Sequence, residues 1–208
     1  MPMANGSKNS VYAALVLAGG QSSRFGREKA VAQLDGKTLL DWVAGGLGAK
    51  TALVAVSAIP GSAAETLAKA RGLPAVHDRD TDGKGPLAGV RAGLEWALAR
   101  GAARMFTWPC DVPIVPADAL DRLADAAALA GAAYATTERG AESLCAVWPV
   151  SGLPGLSAAL QGGAHPPVRQ VLQKLGATPV QFEGNVMRNV NTPEDLAAIE
   201  LDLQARRT

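Results

Sequence analysis

The stretch VYAALVLAGG, residues 11–20, decides the architecture of this chain. Its first eight residues are almost continuously apolar, and the run ends at Gly19-Gly20. A short apolar run of this kind suits a parallel strand buried on both faces. The overlapping stretch LAGGQSSRFGREKA, residues 17–30, then sets three glycines, two adjacent serines and three basic residues where the strand ends. Glycines permit close backbone approach, so several N–H groups can converge on one phosphate. Arg24, Arg27 and Lys29 stand ready to neutralise negative charge. From the residues alone, a nucleotide loop and a surface turn with a solvated basic rim are both open.

Outward from this stretch, strand-length apolar runs alternate with segments of helical period. KTLLDWVAGGLGA (37–49) can place Leu39, Trp42, Val43 and Leu47 on one helical face. TALVAVSA (51–58) reads as a second buried strand, SAAETLAKARG (62–72) as a helix closed by Gly72, and LPAVHD (73–78) as a third strand. GPLAGVRAGLEWALARG (85–101) has Pro86 placed to open a helix and Gly101 to close it. ARMFTW (103–108) is a fourth strand running into PCDVP, and PADALDRLADAAALAG (116–131) is strongly helical. Beyond it the pattern changes. AAYATT and SLCAVWP read as two strands around a turn at ERGAE, followed by short helical pieces from Ser151 and Pro167 and a strand near residues 178–182. NTPEDLAAIELDLQAR closes the chain, with Thr192 as N-cap, Pro193 at the first helical position and Asp195 where a capping box takes an acid. The alternation predicts a doubly wound α/β structure. Residues 1–10 read as a flexible polar tail without a signal-peptide core, and 11–208 as a single domain.

The composition limits the function classes. The chain has 208 residues, 48% hydrophobic and 19% charged, which suits a globular protein with a substantial core. A formal net charge of +1 is no excess of the kind that nucleic-acid or anionic-membrane binders carry, so any anion site is local. No apolar run approaches the ~20 residues of a membrane helix. Cys110 and Cys145 read as two buried thiols in a reducing cytosol.

Several chemistries are excluded by spacing. Gly26 is followed by Arg-Glu-Lys, so the loop is no Walker A motif, and the adjacency of Gly19 and Gly20 rules out the G-x-G-x-x-G dinucleotide fingerprint. His77 and His165 have no cysteine or acid at zinc-ligand spacing. Cys110 has no nearby histidine in sequence, and Asp111 beside it disfavours the thiolate. No G-x-S-x-G elbow is present. What remains is a carboxylate, Asp111, held between Pro109 and Pro113 just past a strand end. Ligands of open α/β sheets bind there, and a lone carboxylate suits Mg²⁺, which keeps water and phosphate oxygens as its other ligands. A turn aspartate is the plainer reading of that residue taken alone. Asp78, Asp80, Asp82 and Lys84 ahead of Gly85-Pro86 read either as a charged capping loop or as a wall on the base and ribose side of a nucleotide.

Taken in order, LAGGQSSRFGREKA, DGKGPLAGV, PCDVP and NVNTPEDL closely resemble the molybdenum cofactor guanylyltransferases, the MobA-like branch of the nucleotidyltransferase fold. The resemblance runs from about residue 11 to about residue 200. The first motif is shared with molybdenum cofactor cytidylyltransferases and sugar-nucleotide pyrophosphorylases; the last two narrow it to the MobA-like branch. The resemblance implies a three-layer α/β/α, mostly parallel, Rossmann-like fold and a cytoplasmic, Mg²⁺-dependent enzyme. The implied substrates are GTP and molybdopterin, the products pyrophosphate and a guanine dinucleotide cofactor, and the further partners molybdoenzymes or cofactor-delivery proteins.

Residue by residue, Leu17, Ala18, Gly19 and Gly20 align with the segment that contacts the nucleotide through backbone, and Arg24 and Lys29 with the basic residues holding the triphosphate. Ser57 stands where the family often has Asn. Asp78 matches an acid near the nucleotide, and Gly85, Pro86 and Leu87 match the segment near the base. Asp111 matches the magnesium-binding aspartate, Asn189 and Asn191 the late asparagines on the catalytic or acceptor side, and Arg169 a residue for the acceptor phosphate or pterin. Arg27 matches no fixed position and reads as solvent-facing charge. Glu142-Ser143-Leu144 departs from the family's His-Pro or Gln-Pro. A cytidylyltransferase for the same cofactor, a nucleotidyltransferase for another phosphorylated acceptor and a non-catalytic delivery protein are the alternatives. Cys-Asp-Val-Pro, in place of Cys-Asp-Gln-Pro, leans towards guanine.

Overall fold

The apolar run before the glycines forms β1 (Tyr12–Leu17), whose residues 13–16 are fully buried. The structure is a computed structural model that describes residues 11–20, 25, 28–79, 85–184 and 186–205. The expected tail, Arg24, Arg27, Asp80, Asp82 and Lys84 therefore lie outside the described residues. A short ribbon of β2 (Gln33–Leu34) and β3 (Lys37–Thr38) follows, then α1 (Leu39–Gly48), β4 (Val54–Ser57), α2 (Ala63–Ala70) and β5 (Ala75–Val76). Next come α3 (Pro86–Leu98), β6 (Arg104–Pro109), α4 (Ala119–Ala130), β7 (Ala133–Thr137) and β8 (Gly140–Pro149). The chain continues through α5 (Leu153–Ala159), α6 (Val168–Lys174), β9 (Thr178–Gln181) and α7 (Pro193–Ala205).

Seven strands form one sheet in the order β5-β4-β1-β6-β8-β7-β9. The pairs β5/β4, β4/β1 and β1/β6 are parallel, β8 runs antiparallel to both its neighbours, and β9 is parallel to β7. The sheet is thus mostly parallel, as the alternating pattern predicts. One face packs Val16, Val56, Phe106 and Trp108 against α1, α2 and α4. The other packs Leu15, Ala55, Met105 and Trp148 against α3, α5 and α6. Helices on both faces are what continuous apolar strands demand, since neither face can meet water. A smaller cluster of Phe25, Ala32, Leu34, Leu39, Val190 and Ile199 binds the β2–β3 ribbon to α7.

Two local readings change. The expected turn at ERGAE shrinks to residues 138–139, because Ala141 and Glu142 already pair with Thr136 and Ala135. In α1 the apolar residues face two ways rather than one. Leu40, Val43 and Leu47 enter the sheet core, while Leu39 and Trp42 turn to the smaller cluster, where the Trp42 indole N–H donates to Leu34 O at 2.8 Å. The cap read on the last helix holds, and a second one closes the start of α1. Thr38 and Asp41 form a capping box on α1, and Thr192 and Asp195 exchange hydrogen bonds of 2.9 and 3.2 Å at the start of α7.

Helix α3 lies unusually close to the sheet because of two glycines one turn apart. A Cβ at Gly93 would come 2.5 Å from Leu15 Cδ2 and 3.0 Å from Met105 Sδ. In an open helix Gly→Ala gains up to about 1 kcal/mol of helix propensity. Here overpacking of a fully buried leucine opposes it, and such crowding costs about 1–3 kcal/mol. Gly93→Ala is expected to lower stability, and thermal melting checks the sign: a rise in Tm would show that α3 has room to retreat.

Candidate active site

The carboxyl ends of β1, β4, β5 and β6 open on one edge of the sheet, and several of the residues singled out from the sequence lie there. From β1 the chain turns towards β4 on one side, while β6 takes the other side. Such a reversal is where open α/β sheets bind ligands. Leu17, at the end of β1, is flanked by Ser57 and Pro109. Ala18 N donates to Ser57 O at 2.8 Å, and Cys110 N donates to Leu17 O at 3.0 Å, so the three strand ends are stitched together. Gly19 and Gly20 emerge exposed beyond them.

Asp111 is held from four directions. Its neighbour Cys110 is tied to β1 as above, and Val112 N donates to Pro109 O at 3.1 Å, closing a tight turn. The buried Trp108 indole N–H donates to Val112 O at 2.8 Å. Val190 N donates to Asp111 O at 2.7 Å, which brings the late asparagine segment alongside. These bonds fix the backbone and leave the carboxylate partly exposed. Lys29, at the start of a single 3₁₀ turn over Lys29–Val31, reaches Asp111 Oδ2 at 3.2 Å and Asn191 Oδ1 at 2.9 Å. Asn191 is set in turn by Asp195, whose carboxylate accepts from the backbone N–H groups of Asn191 and Thr192 at 2.9 Å each. Those two bonds hold the Asp195 carboxyl below its usual range. Lys29, Asp111 and Asn191, separated by 82 and 162 residues along the chain, thus form one cluster.

A second group forms at the start of α3. A Cβ on Gly89 would lie 2.5 Å from Ser57 Oγ and 3.4 Å from Asp78 Oδ1, so Gly89 lets β4, β5 and α3 converge. Ser57 is buried, Asp78 is exposed, and Gly85, Pro86 and buried Leu87 open the helix above them. His165 overhangs Gly85 from the far half of the chain. Asn189 is exposed two residues ahead of Asn191. Arg169 is exposed on α6 and makes no ion pair with a described residue, so the structure does not bring it into either cluster.

The donor set at Asp111 suits a divalent ion carried in by phosphate. Among the described residues no three His, Cys, Asp or Glu side chains converge into a metal cage. Lys29 takes one carboxylate oxygen of Asp111, and the other accepts no hydrogen bond from a described residue. One carboxylate with an open flank fits Mg²⁺, which takes most of its ligands from water and phosphate. Cys110 and Cys145 are both free and buried, and burial pushes the Cys110 thiol up to about 12, with Asp111 adding to the effect. A thiol so disfavoured as thiolate is no nucleophile.

Glu142 is a further acid facing this edge. Pairing between β6 and β8 ends at Thr107 and Ala146, and β8 bulges between Ala146 and Glu142 before Glu142 pairs with Ala135. Burial raises the Glu142 carboxyl, Arg139 opposes the rise, and the Asp111 charge adds to it. A raised folded-state value means a contribution to stability present below the unfolded value of about 4.3 and lost as pH climbs through the folded one. Glu142→Gln is therefore expected to raise Tm at pH 7 and to leave it nearly unchanged at pH 4. Equal shifts at both pH values would refute the electrostatic cause.

A glycine loop, a lysine and an aspartate at the switch point of a mostly parallel sheet define a nucleotide-handling α/β protein. The MobA-like NTP transferase domain model matches residues 14–178. The chain is 40% identical to a molybdenum cofactor guanylyltransferase of Cereibacter sphaeroides, over 89% of this chain and 94% of that protein. It is 37% identical to one of Acidiphilium cryptum, over 90% and 93%. Among solved structures, molybdopterin-guanine dinucleotide biosynthesis protein A of Archaeoglobus fulgidus superposes with a TM-score of 0.72 at 24% identity, covering 92% of this chain and 98% of that one. The chain belongs to the MobA-like NTP transferase family, and it is a nucleotidyltransferase.

Two participants in this geometry carry no local signal in the sequence. Gly89 reads there as an ordinary helix residue, and only the packing shows that it seats Ser57 beside Asp78. Glu28 sits inside the opening loop between two basic residues, yet nothing local connects it to its partners on α2.

Proposed function

We propose that this chain transfers GMP from GTP to the terminal phosphate of molybdopterin with Mg²⁺ as cofactor, releasing pyrophosphate and forming the guanine dinucleotide cofactor. The observation that carries the reading is the convergence of Asp111 and Asn191 on the Lys29 ammonium, beside the glycine loop at the sheet's switch point. The names of its relatives agree with it.

In this reading an acceptor phosphate oxygen attacks the α-phosphorus of GTP. The bond from that phosphorus to the bridging oxygen breaks, and pyrophosphate leaves with the electron pair. Bound Mg²⁺ would neutralise phosphate charge and orient the reacting groups. Asp111 would hold the ion. Lys29 takes charge that grows on the departing pyrophosphate, and Asn191, fixed by Asp195, keeps the ammonium in place. Arg24 joins Lys29 on the triphosphate. The backbone of Leu17, Ala18, Gly19 and Gly20 follows the nucleotide, with Ser57, Asp78, Gly85, Pro86 and Leu87 on the ribose and base side. Asn189 and Arg169 serve the acceptor. Such a reaction needs positioning and charge neutralisation rather than a covalent nucleophile, which agrees with the inert Cys110. A cytosolic location follows from the substrates.

The test is to incubate the protein, Mg²⁺ and molybdopterin with each nucleoside triphosphate in turn and identify the product by mass. The guanine dinucleotide is expected. Product from CTP but not GTP would make the chain a cytidylyltransferase, and no dinucleotide from any triphosphate would overturn the reading.

A further inference from the structure

We infer that Glu28 is a positioning residue for Lys29: its carboxylate fastens the lysine-bearing turn to the N-terminus of α2. Oε1 accepts from Ala63 N and Oε2 from Ala64 N, both at 2.9 Å. These are the first two backbone donors of α2, and the third helical residue, Glu65, donates to Ser62 Oγ at 3.1 Å. A helix N-terminus leaves such donors unsatisfied and favours a negative partner. Here the partner comes from the residue next to Lys29, 35 positions away in sequence.

The attachment constrains Lys29 through the backbone. Glu28 O accepts from Val31 N at 3.3 Å, and Lys29 O from Ala32 N at 2.9 Å, so the two residues share one 3₁₀ turn. Ala30 within that turn is buried in the sheet core. Further along, Leu39 N donates to Ala32 O at 2.9 Å. Lys29 carries a long, rotamer-rich side chain, and it delivers its ammonium to two acceptors on two other segments. Two hydrogen bonds at a single carboxylate, one residue away, set where that chain begins. The Ala63 bond is exposed, so water can replace it when the carboxylate is removed, and α2 keeps its Ser62 cap. The loss then falls on the placement of Lys29 more than on the fold.

This role rests on the nucleotidyltransferase reading, and the test separates the two. Glu28→Ala, Glu28→Gln, Lys29→Met, the Glu28→Ala/Lys29→Met double variant and Ser62→Ala are compared by calorimetric titration with Mg·GTP and with Mg·CTP, alongside thermal melts. Glu28→Ala is expected to weaken nucleotide binding on the order of 10- to 100-fold, the size of one lost hydrogen bond to a charged group. Glu28→Gln keeps one acceptor oxygen and should fall between Glu28→Ala and wild type; if Glu28→Ala fails to fold, this variant carries the comparison. The double variant should bind like Lys29→Met alone, because Glu28 acts through Lys29. Ser62→Ala should lower Tm yet bind as wild type does. Losses that multiply in the double variant, or an equal loss in Ser62→Ala, would overturn the assignment while leaving the enzyme reading intact. Wild type that binds neither nucleotide would overturn both.

Discussion

Asp111→Ala is expected to reduce nucleotide transfer on the order of a thousandfold while the protein stays folded. The rate loss follows from what the carboxylate offers. It is the acid at the Lys29–Asn191 cluster with an oxygen free of hydrogen bonds from described residues, so under the proposed function the metal would lose its protein ligand when it goes. At 1.36 kcal/mol per factor of ten, a thousandfold is about 4 kcal/mol of transition-state stabilisation. Stability changes far less. The Lys29–Asp111 pair has side chains 15% and 29% exposed, and partly solvated pairs contribute about 1 kcal/mol or less. The turn itself is held by backbone bonds and by Trp108, none of which needs the carboxylate. Asp111→Asn provides the control, since it keeps the shape and an acceptor for Lys29 but loses the charge. Transfer within tenfold of wild type in the alanine variant would remove Asp111 from the mechanism. Chemistry is best read from kcat at saturating Mg·GTP, with circular dichroism to verify the fold.

Lys29→Met is the second large effect. The substitution keeps an unbranched apolar stem and removes the ammonium, so contacts around Ala30 and the 3₁₀ turn survive. Under the proposed reaction, charge developing on the leaving pyrophosphate would lose a donor, and kcat/KM is expected to fall by about 100- to 1,000-fold. A fall in kcat as large as that in kcat/KM would place the interaction in the transition state, and a rise in KM alone would place it in ground-state binding. Lys29→Arg should restore little. A planar guanidinium cannot present the same compact point charge to Asp111 and Asn191 together. A methionine variant that turns over like wild type would refute the role of Lys29.

The fold was largely legible because this sheet announces itself locally. Continuous apolar runs such as residues 13–16, short and closed by glycines, suit strands buried on both faces, and glycines, prolines and caps mark where helices begin and end. What stayed hidden was direction and pairing. Nothing in SLCAVWP says that β8 runs against β6, or that it inserts between β6 and β7. The antiparallel insertion matters to the site, since it puts the Glu142 carboxyl within reach of the Asp111 charge.

The site divides in the same way. By itself the sequence determined the chemistry on offer: a glycine loop after a buried strand, cations beside it, a lone acid at a second strand end, and a capped late helix. Each is a short-range property of residue type and spacing. Only the tertiary structure decided which of these meet. Lys29 finds Asp111 and Asn191, Gly89 admits Ser57 and Asp78, and Arg169 remains outside. Glu28 gains its partners only when α2 packs beside the loop. The physical reason is that hydrogen bonds reach about 3 Å, whereas their partners here lie 35 to 162 residues apart in sequence, a separation that only the packing of sheet and helices closes.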